Sequence, residues 1–225
     1  MRKALLPSIL VLLLVVSSAG AAGPALQSED QKMLYALGLA ISQSLAGFNL
    51  SETELKFVAS GLEDGVLRHE RKVDLQVYGP KLQELQKTRL AALAMTEKKV
   101  GQAFLDKAVA EKGATKLPSG AIMTTLKAGT GASPKTTDSV KVNYHGTLTD
   151  GTVFDSSVQR GQPVTFPLNG VIPCWTEGVQ QMKVGGKAKL VCPSNVAYGD
   201  QGRPPMIKPG ATLVFEVELL EIVKQ

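Results

Sequence analysis

Few side chains in this sequence could do covalent chemistry. His69 and His145 are the only histidines, and Cys174 and Cys192 the only cysteines. Their spacing fits no zinc finger, so no metal site is expected. No Ser/His/Asp or Cys/His set is assembled either, which counts against a hydrolase. His145 falls on the outward side of an alternating segment and His69 within a helical one, so both read as solvated. The cysteines read as a disulfide, which an even pair in an oxidising compartment favours, or as two small buried thiols. Cys192 shares an inward side with Ala188 and Leu190, and Cys174 adjoins Trp175 at the start of a short helix, a placement that suits a bridge. The second half of the chain offers rings instead: Tyr144, Phe154, Phe166, Trp175, Tyr198 and Phe215. By composition alone such aromatics read as core.

The elements that must position these rings follow from periodicity. Val140, Val142, Tyr144, Gly146 and Leu148 alternate with Lys141, Asn143, His145 and Thr147, the period of a half-buried strand. Asp150-Gly151 follows as a hairpin signal. Ala188, Leu190 and Cys192 alternate in the same way, as do Leu213, Phe215, Val217 and Leu219. Between them, residues 173–182 place Trp175, Val179 and Met182 on one face of a short helix. Residues 116–225 are therefore expected to form an α+β domain, an antiparallel sheet wrapped on a short helix.

Residues 23–115 read as an all-helical N-terminal arm. Ser28-Glu29-Asp30-Gln31 and Ser51-Glu52-Thr53-Glu54 are capping boxes, the second ahead of an apolar stripe at Leu55, Val58, Leu62 and Val66. From Pro80, fitted to a first turn, strong helix formers run to about residue 112. One helix of that length, roughly 50 Å, outruns what two short neighbours can cover, which suits a stalk or paired arm. Residues 1–22 read as a secretory signal peptide: Arg2-Lys3, an apolar stretch from Leu5 to Val16, and a small-residue site at Ala19-Gly20-Ala21. The stretch is short for a membrane anchor, which needs about 20 apolar residues. The formal net charge of +5 includes Arg2 and Lys3, and no dense basic run accompanies it, so nucleic acid is not expected as a partner.

Four motifs in register resemble the FKBP family: the run from Val140 to Ser157 containing Tyr144-His145-Gly146 and Val153-Phe154-Asp155, then Val171-Ile172-Pro173-Cys174-Trp175, Ala197-Tyr198-Gly199, and residues 211–219. The helical arm resembles that of the Mip-like and FkpA-like exported bacterial members. The resemblance implies peptidyl-prolyl cis-trans isomerase activity on proline-containing unfolded or exported polypeptides, without a cofactor. It implies a pocket floored by Trp175 and walled by Tyr144, Phe154, Val164, Phe166, Val171, Ile172, Ile207 and Phe215, with Asp155 and Tyr198 as polar groups at its rim. It further implies inhibition by rapamycin-type ligands, a homodimer through residues 23–112, and a periplasmic or secreted location. The sequence departs from the family in a shorter loop between Phe166 and Val171. A second departure is Arg203-Pro204-Pro205-Met206-Ile207-Lys208-Pro209, which puts charges beside the pocket. A non-catalytic holdase using the same pocket and a dimer cleft is the alternative. A purely structural dimer would explain the arm but leave the rings without a use.

Overall fold

The computed structural model describes residues 25–223, so the expected signal peptide lies outside the described residues. The described residues divide into two compact units, residues 25–40 and 41–223. The first holds most of helix α1 (Glu29–Leu45). Its capping box forms as the sequence predicts: the Gln31 amide donates to Ser28 Oγ (3.2 Å) and the Ser28 amide to Gln31 Oε1 (3.1 Å). Met33, Leu34, Tyr35 and Leu37 stay more than half exposed.

In the second unit, a 3-10 turn (Ala46–Phe48) leads into α2 (Glu52–Leu67). Ser51 caps α2, accepting from the Glu54 amide (3.3 Å) while its own amide donates to Glu54 Oε2 (2.9 Å). Arg89 of α3 (Leu75–Val109) then donates to Glu54 Oε1 (2.5 Å) and to the Phe48 carbonyl (2.9 Å), fastening the turn and the start of α2 to the long helix. The Arg89 hydrogen bond, with those from Ser51, brings the Glu54 carboxyl down to about 2. Helix α3 begins earlier than the sequence suggests. Asp74 caps it by accepting from the Gln76 amide (2.8 Å), which puts Pro80 inside the helix rather than in its first turn. Proline there costs the helix one backbone bond.

The remaining chain builds a seven-stranded antiparallel sheet from β1 (Ala114–Lys116), β2 (Ile122–Lys127), β3 (Ser139–Leu148), β4 (Val153–Ser156), β5 (Val164–Pro167), β6 (Lys187–Cys192) and β7 (Leu213–Val223). The strand order is β1-β2-β6-β7-β3-β4, and β5 pairs with the first half of β3 while β4 pairs with its second half. The Asp150-Gly151 turn closes β3 onto β4, with the Leu148 amide donating to the Thr152 carbonyl at 2.9 Å. The α+β fold expected from the sequence is thus the observed one.

Alternation along β3, β6 and β7 sends Val140, Val142, Leu190, Leu213, Val217 and Leu219 into one core, each fully buried. Helix α4 (Pro173–Gln180) lies on that face and contributes Cys174, Trp175 and Val179. It approaches β6 so closely that a Cβ on Gly178 would sit 2.6 Å from Leu190 Cδ2, so a larger residue would push the helix off the sheet. Cys174 and Cys192 form a disulfide, with Cα atoms 5.7 Å apart, that ties α4 to β6. Closing a loop over a separation of 18 residues stabilises by about 3 kcal/mol in the chain-entropy picture.

The opposite side of the sheet is covered by the end of α3. Leu105 and Ala108 pack on Ile122 and Val191, flanked by Phe104 and Val214. Helix α3 is therefore not a free stalk along its whole length. Val191, which alternation places outward, is fully buried because α3 supplies the second apolar surface.

Candidate active site

The site is assembled from the face of the sheet that packs on α4 and the loops around it. Trp175 enters from the first turn of α4, where Pro173 at the N-terminus presets the helical backbone. Three rings meet the indole edge-on: Tyr144 at 5.3 Å between centroids, Phe166 at 5.9 Å and Phe215 at 5.2 Å. Phe154 stands edge-on to Phe215 at 5.5 Å. Edge-to-face contacts of this kind hold rings in fixed orientations beyond what area burial alone supplies. The Trp175 Nε1–H is buried and has no acceptor among the described residues, a desolvation cost the fold carries at the floor of the site.

Above the indole lies a cavity of about 360 Å³. Of the residues singled out from the sequence, Tyr144, Phe154, Asp155, Phe166, Val171, Ile172, Trp175, Tyr198 and Phe215 line it. Val164 and Ile207 stand behind the lining: Ile207 is buried in the core and Val164 packs against it. His145 stays on the outward side of β3, where its Nδ1 lies 3.0 Å from Ser156 Oγ.

A polar triad closes one side of the cavity. The Tyr144 hydroxyl donates to Asp155 Oδ2 at 2.5 Å, and Arg160 donates to the Tyr144 oxygen at 2.8 Å. Arg160 is also ion-paired with Asp155. Burial and the bond to Asp155 push the Tyr144 phenol above its ordinary range, so it stays protonated. Burial alone would raise the Asp155 carboxyl, but the hydrogen bonds from Tyr144 and Arg160 outweigh it and hold the group below the usual carboxylate range. The triad thus carries a fixed negative and a fixed positive charge joined through one phenol.

Besides Gly170 of the lining, three residues around this cavity were not singled out as site residues from the sequence. Arg160 lies in a polar turn, where an arginine looks like any solvated one. Gly146 sits on the inward side of β3, and a Cβ there would lie 2.8 Å from Phe154 Cζ and 3.1 Å from Phe215 Cε1. Its position in the alternation, a missing side chain where an apolar one is due, was the available signal. Arg203 also lines the cavity, and its loop had been noted for its charges.

Comparison with known proteins defines the class. Residues 131–220 match the family described as FKBP-type peptidyl-prolyl cis-trans isomerase, and residues 30–122 match the domain amino-terminal to it. The chain belongs to the FKBP-type peptidyl-prolyl cis-trans isomerases, and it is an enzyme of that type. It is 43% identical over 210 residues to the isomerase FkpA of Aeromonas hydrophila, covering 88% of this chain and 78% of that one. It is 35% identical to the isomerase Mip of Coxiella burnetii over the full length of both. The crystal structure of FkpA from Escherichia coli superposes with a TM-score of 0.65 at 37% identity, covering 88% of this chain and 98% of that one. Among the described residues, no helix is long and apolar enough to cross a membrane.

Proposed function

We propose that the ring-lined cavity above Trp175 is where the enzyme turns the Xaa-Pro bond, and that its clients are unfolded polypeptides exported to the periplasm or beyond. The observation that carries this reading is the cavity itself: an indole floor with three edge-on rings and one pre-paired polar triad. Rotation about a peptide bond costs about 18–20 kcal/mol because amide resonance is lost. No bond is made or cut, so holding the twisted imide more tightly than the planar one is sufficient.

In the twisted state the nitrogen is no longer conjugated and the carbonyl loses charge separation. A cavity that excludes water favours this less polar state. Trp175 receives the proline ring, and Tyr144, Phe154 and Phe215 keep water out. The Tyr198 hydroxyl donates to a substrate carbonyl and the Ile172 amide anchors the chain beyond the proline. Asp155 acts by orienting Tyr144, a reading supported by their hydrogen bond. Rapamycin-type ligands compete for the same floor.

The arm adds a second grip. Leu34 and Leu37 of α1, and Leu55, Leu62 and Val66 of α2, are each about half exposed or more. Pairing with the same stripes of a second copy would cover them and give a homodimer through residues 23–112. Two cavities in one dimer hold an unfolded client by two weak contacts at once, which raises avidity without new contacts. A holdase contribution beside catalysis follows from the same arrangement.

Removing the arm is a poor test, because the end of α3 covers Ile122 and Val191 of the sheet. The double substitution Leu62→Glu/Val66→Glu charges the stripe instead. By light scattering the unsubstituted chain is expected to be a dimer and the double variant a monomer. Short-peptide isomerisation should be equal in the two, while refolding of a proline-limited whole protein should slow several-fold with the variant. A monomeric parent chain, or equal refolding with both, would refute the paired arm.

A further inference from the structure

The cavity has two charged residues in its lining, Asp155 and Arg203. Asp155 is neutralised by Arg160. Among the described residues, Arg203 has no such partner. The carboxylates on the elements around it are engaged elsewhere: Asp200 with Lys98 at 2.6 Å, and Glu97 with Lys208 at 3.1 Å. Among the described residues, the Arg203 guanidinium lies over the face of Tyr198, with Cζ 5.9 Å from the ring centroid.

The loop holds this cation in place. The Arg203 amide donates to the Ile207 carbonyl at 2.7 Å, and the Ile207 amide returns a bond to the Arg203 carbonyl at 3.0 Å. Ile207 is itself only 3% exposed, so the loop is anchored in the core. One residue earlier, the Gly202 amide donates to the Tyr198 carbonyl at 3.1 Å. Gly202 has φ 62°, and a Cβ there would meet the Ile207 carbonyl oxygen, so the turn that delivers Arg203 needs glycine. The result is a cation over a cavity-lining tyrosine, uncompensated among the described residues, with its backbone held by Ile207.

We propose that Arg203 is a specificity determinant that selects client segments with an acidic side chain next to the isomerised proline. This rests on the reading that the cavity above Trp175 takes the Xaa-Pro bond. A carboxylate beside the proline meets the guanidinium at the rim while the ring occupies the floor. A lysine in the same place meets like charge. Lying over Tyr198 with no side-chain hydrogen bond among the described residues, the guanidinium keeps its N–H groups available for a two-point hydrogen bond to a carboxylate. Because Arg203 is solvent-exposed, the selection is expected to be modest and to weaken with salt.

The test compares acetylated, amidated peptides carrying Glu, Gln or Lys immediately before the proline, and a second set carrying them immediately after it. Catalysed cis-trans exchange is measured by NMR exchange spectroscopy on the full chain at low salt. In at least one set, kcat/KM should rank Glu above Gln above Lys, with about a two- to fivefold step between neighbours, the size of an exposed ion pair. Arg203→Gln should collapse the ranking, Arg203→Glu should invert it, and added salt should shrink it in the unsubstituted chain. Equal kcat/KM for the three side chains in both sets overturns the role of Arg203 and leaves the cavity reading standing. A ranking that persists in Arg203→Gln also overturns it. If exchange of the Gln peptides is catalysed but Phe154→Ala leaves it unchanged, the cavity reading fails and this proposal with it.

Discussion

Phe154→Ala is expected to lower catalysed Xaa-Pro exchange by about ten- to a hundredfold, a barrier change of roughly 1.4–2.7 kcal/mol, and Asp155→Ala to act similarly. The reasons differ. Phe154 is partly buried and holds one wall of the cavity, edge-on to Phe215. On the proposed reading, its removal admits water to the place where the imide loses its polarity. Asp155 accepts from Tyr144 and pairs with Arg160. Without it the phenol has only Arg160 as a partner, and that guanidinium loses its counter-charge. The Asp155 side chain is 42% exposed, so its loss should cost under about 1 kcal/mol of stability. Activity and stability therefore separate, and thermal unfolding beside exchange kinetics checks both. Because the Asp155 carboxyl titrates below its ordinary 3.8, its stabilising contribution is present above that pH and is lost as pH falls through the lowered value. The difference between the parent chain and Asp155→Ala should hence stay constant between pH 5 and 8.

The second large effect is expected at a residue that touches no substrate. Gly146→Val places a branched side chain where even a single Cβ would lie 2.8 Å from Phe154 and 3.1 Å from Phe215. Both rings must move, and both line the cavity. Overpacking of this kind costs about 1–3 kcal/mol of stability, and the displaced rings should remove most isomerase activity and rapamycin binding together. Gly146→Ala, with less to accommodate, should fall between. Trp175 is the only tryptophan, so its fluorescence reports directly on ring packing at the floor. A Gly146→Val variant that is folded, with unaltered Trp175 emission and normal activity, would show that the rings are not held by this contact.

Much of the architecture was legible in the sequence because its strongest signals are local. The alternation from Val140 to Leu148, the Asp150-Gly151 turn and the Ser51 capping box each appear in the structure where the residues place them. The ring set was legible only through family register, since an aromatic at a cavity and one in a core look alike in composition. What escaped is non-local or too short to show a period. Strand β1 has three residues, fewer than an alternation needs to declare itself. Asp74 caps α3 ahead of Pro80 because a short acidic side chain can reach the Gln76 amide, and proline was read as the start when it was only tolerated. Val191 reads as an outward residue on β6, and its burial depends on Leu105 and Ala108 of α3, far earlier in the chain. Arg160 acquires its meaning from Tyr144 and Asp155, which no spacing rule connects.

Whether the Xaa-Pro bond turns in the cavity floored by Trp175 is decided by line-resolved NMR exchange on an Ala-Pro peptide titrated with the full chain. The expected result is a cis-trans exchange rate that rises in proportion to enzyme. That rise should be abolished by one equivalent of a rapamycin-type ligand, and the same ligand should quench or shift the Trp175 emission at the same stoichiometry. Exchange that continues undiminished while the ligand is bound over Trp175 would contradict this and place catalysis elsewhere on the chain.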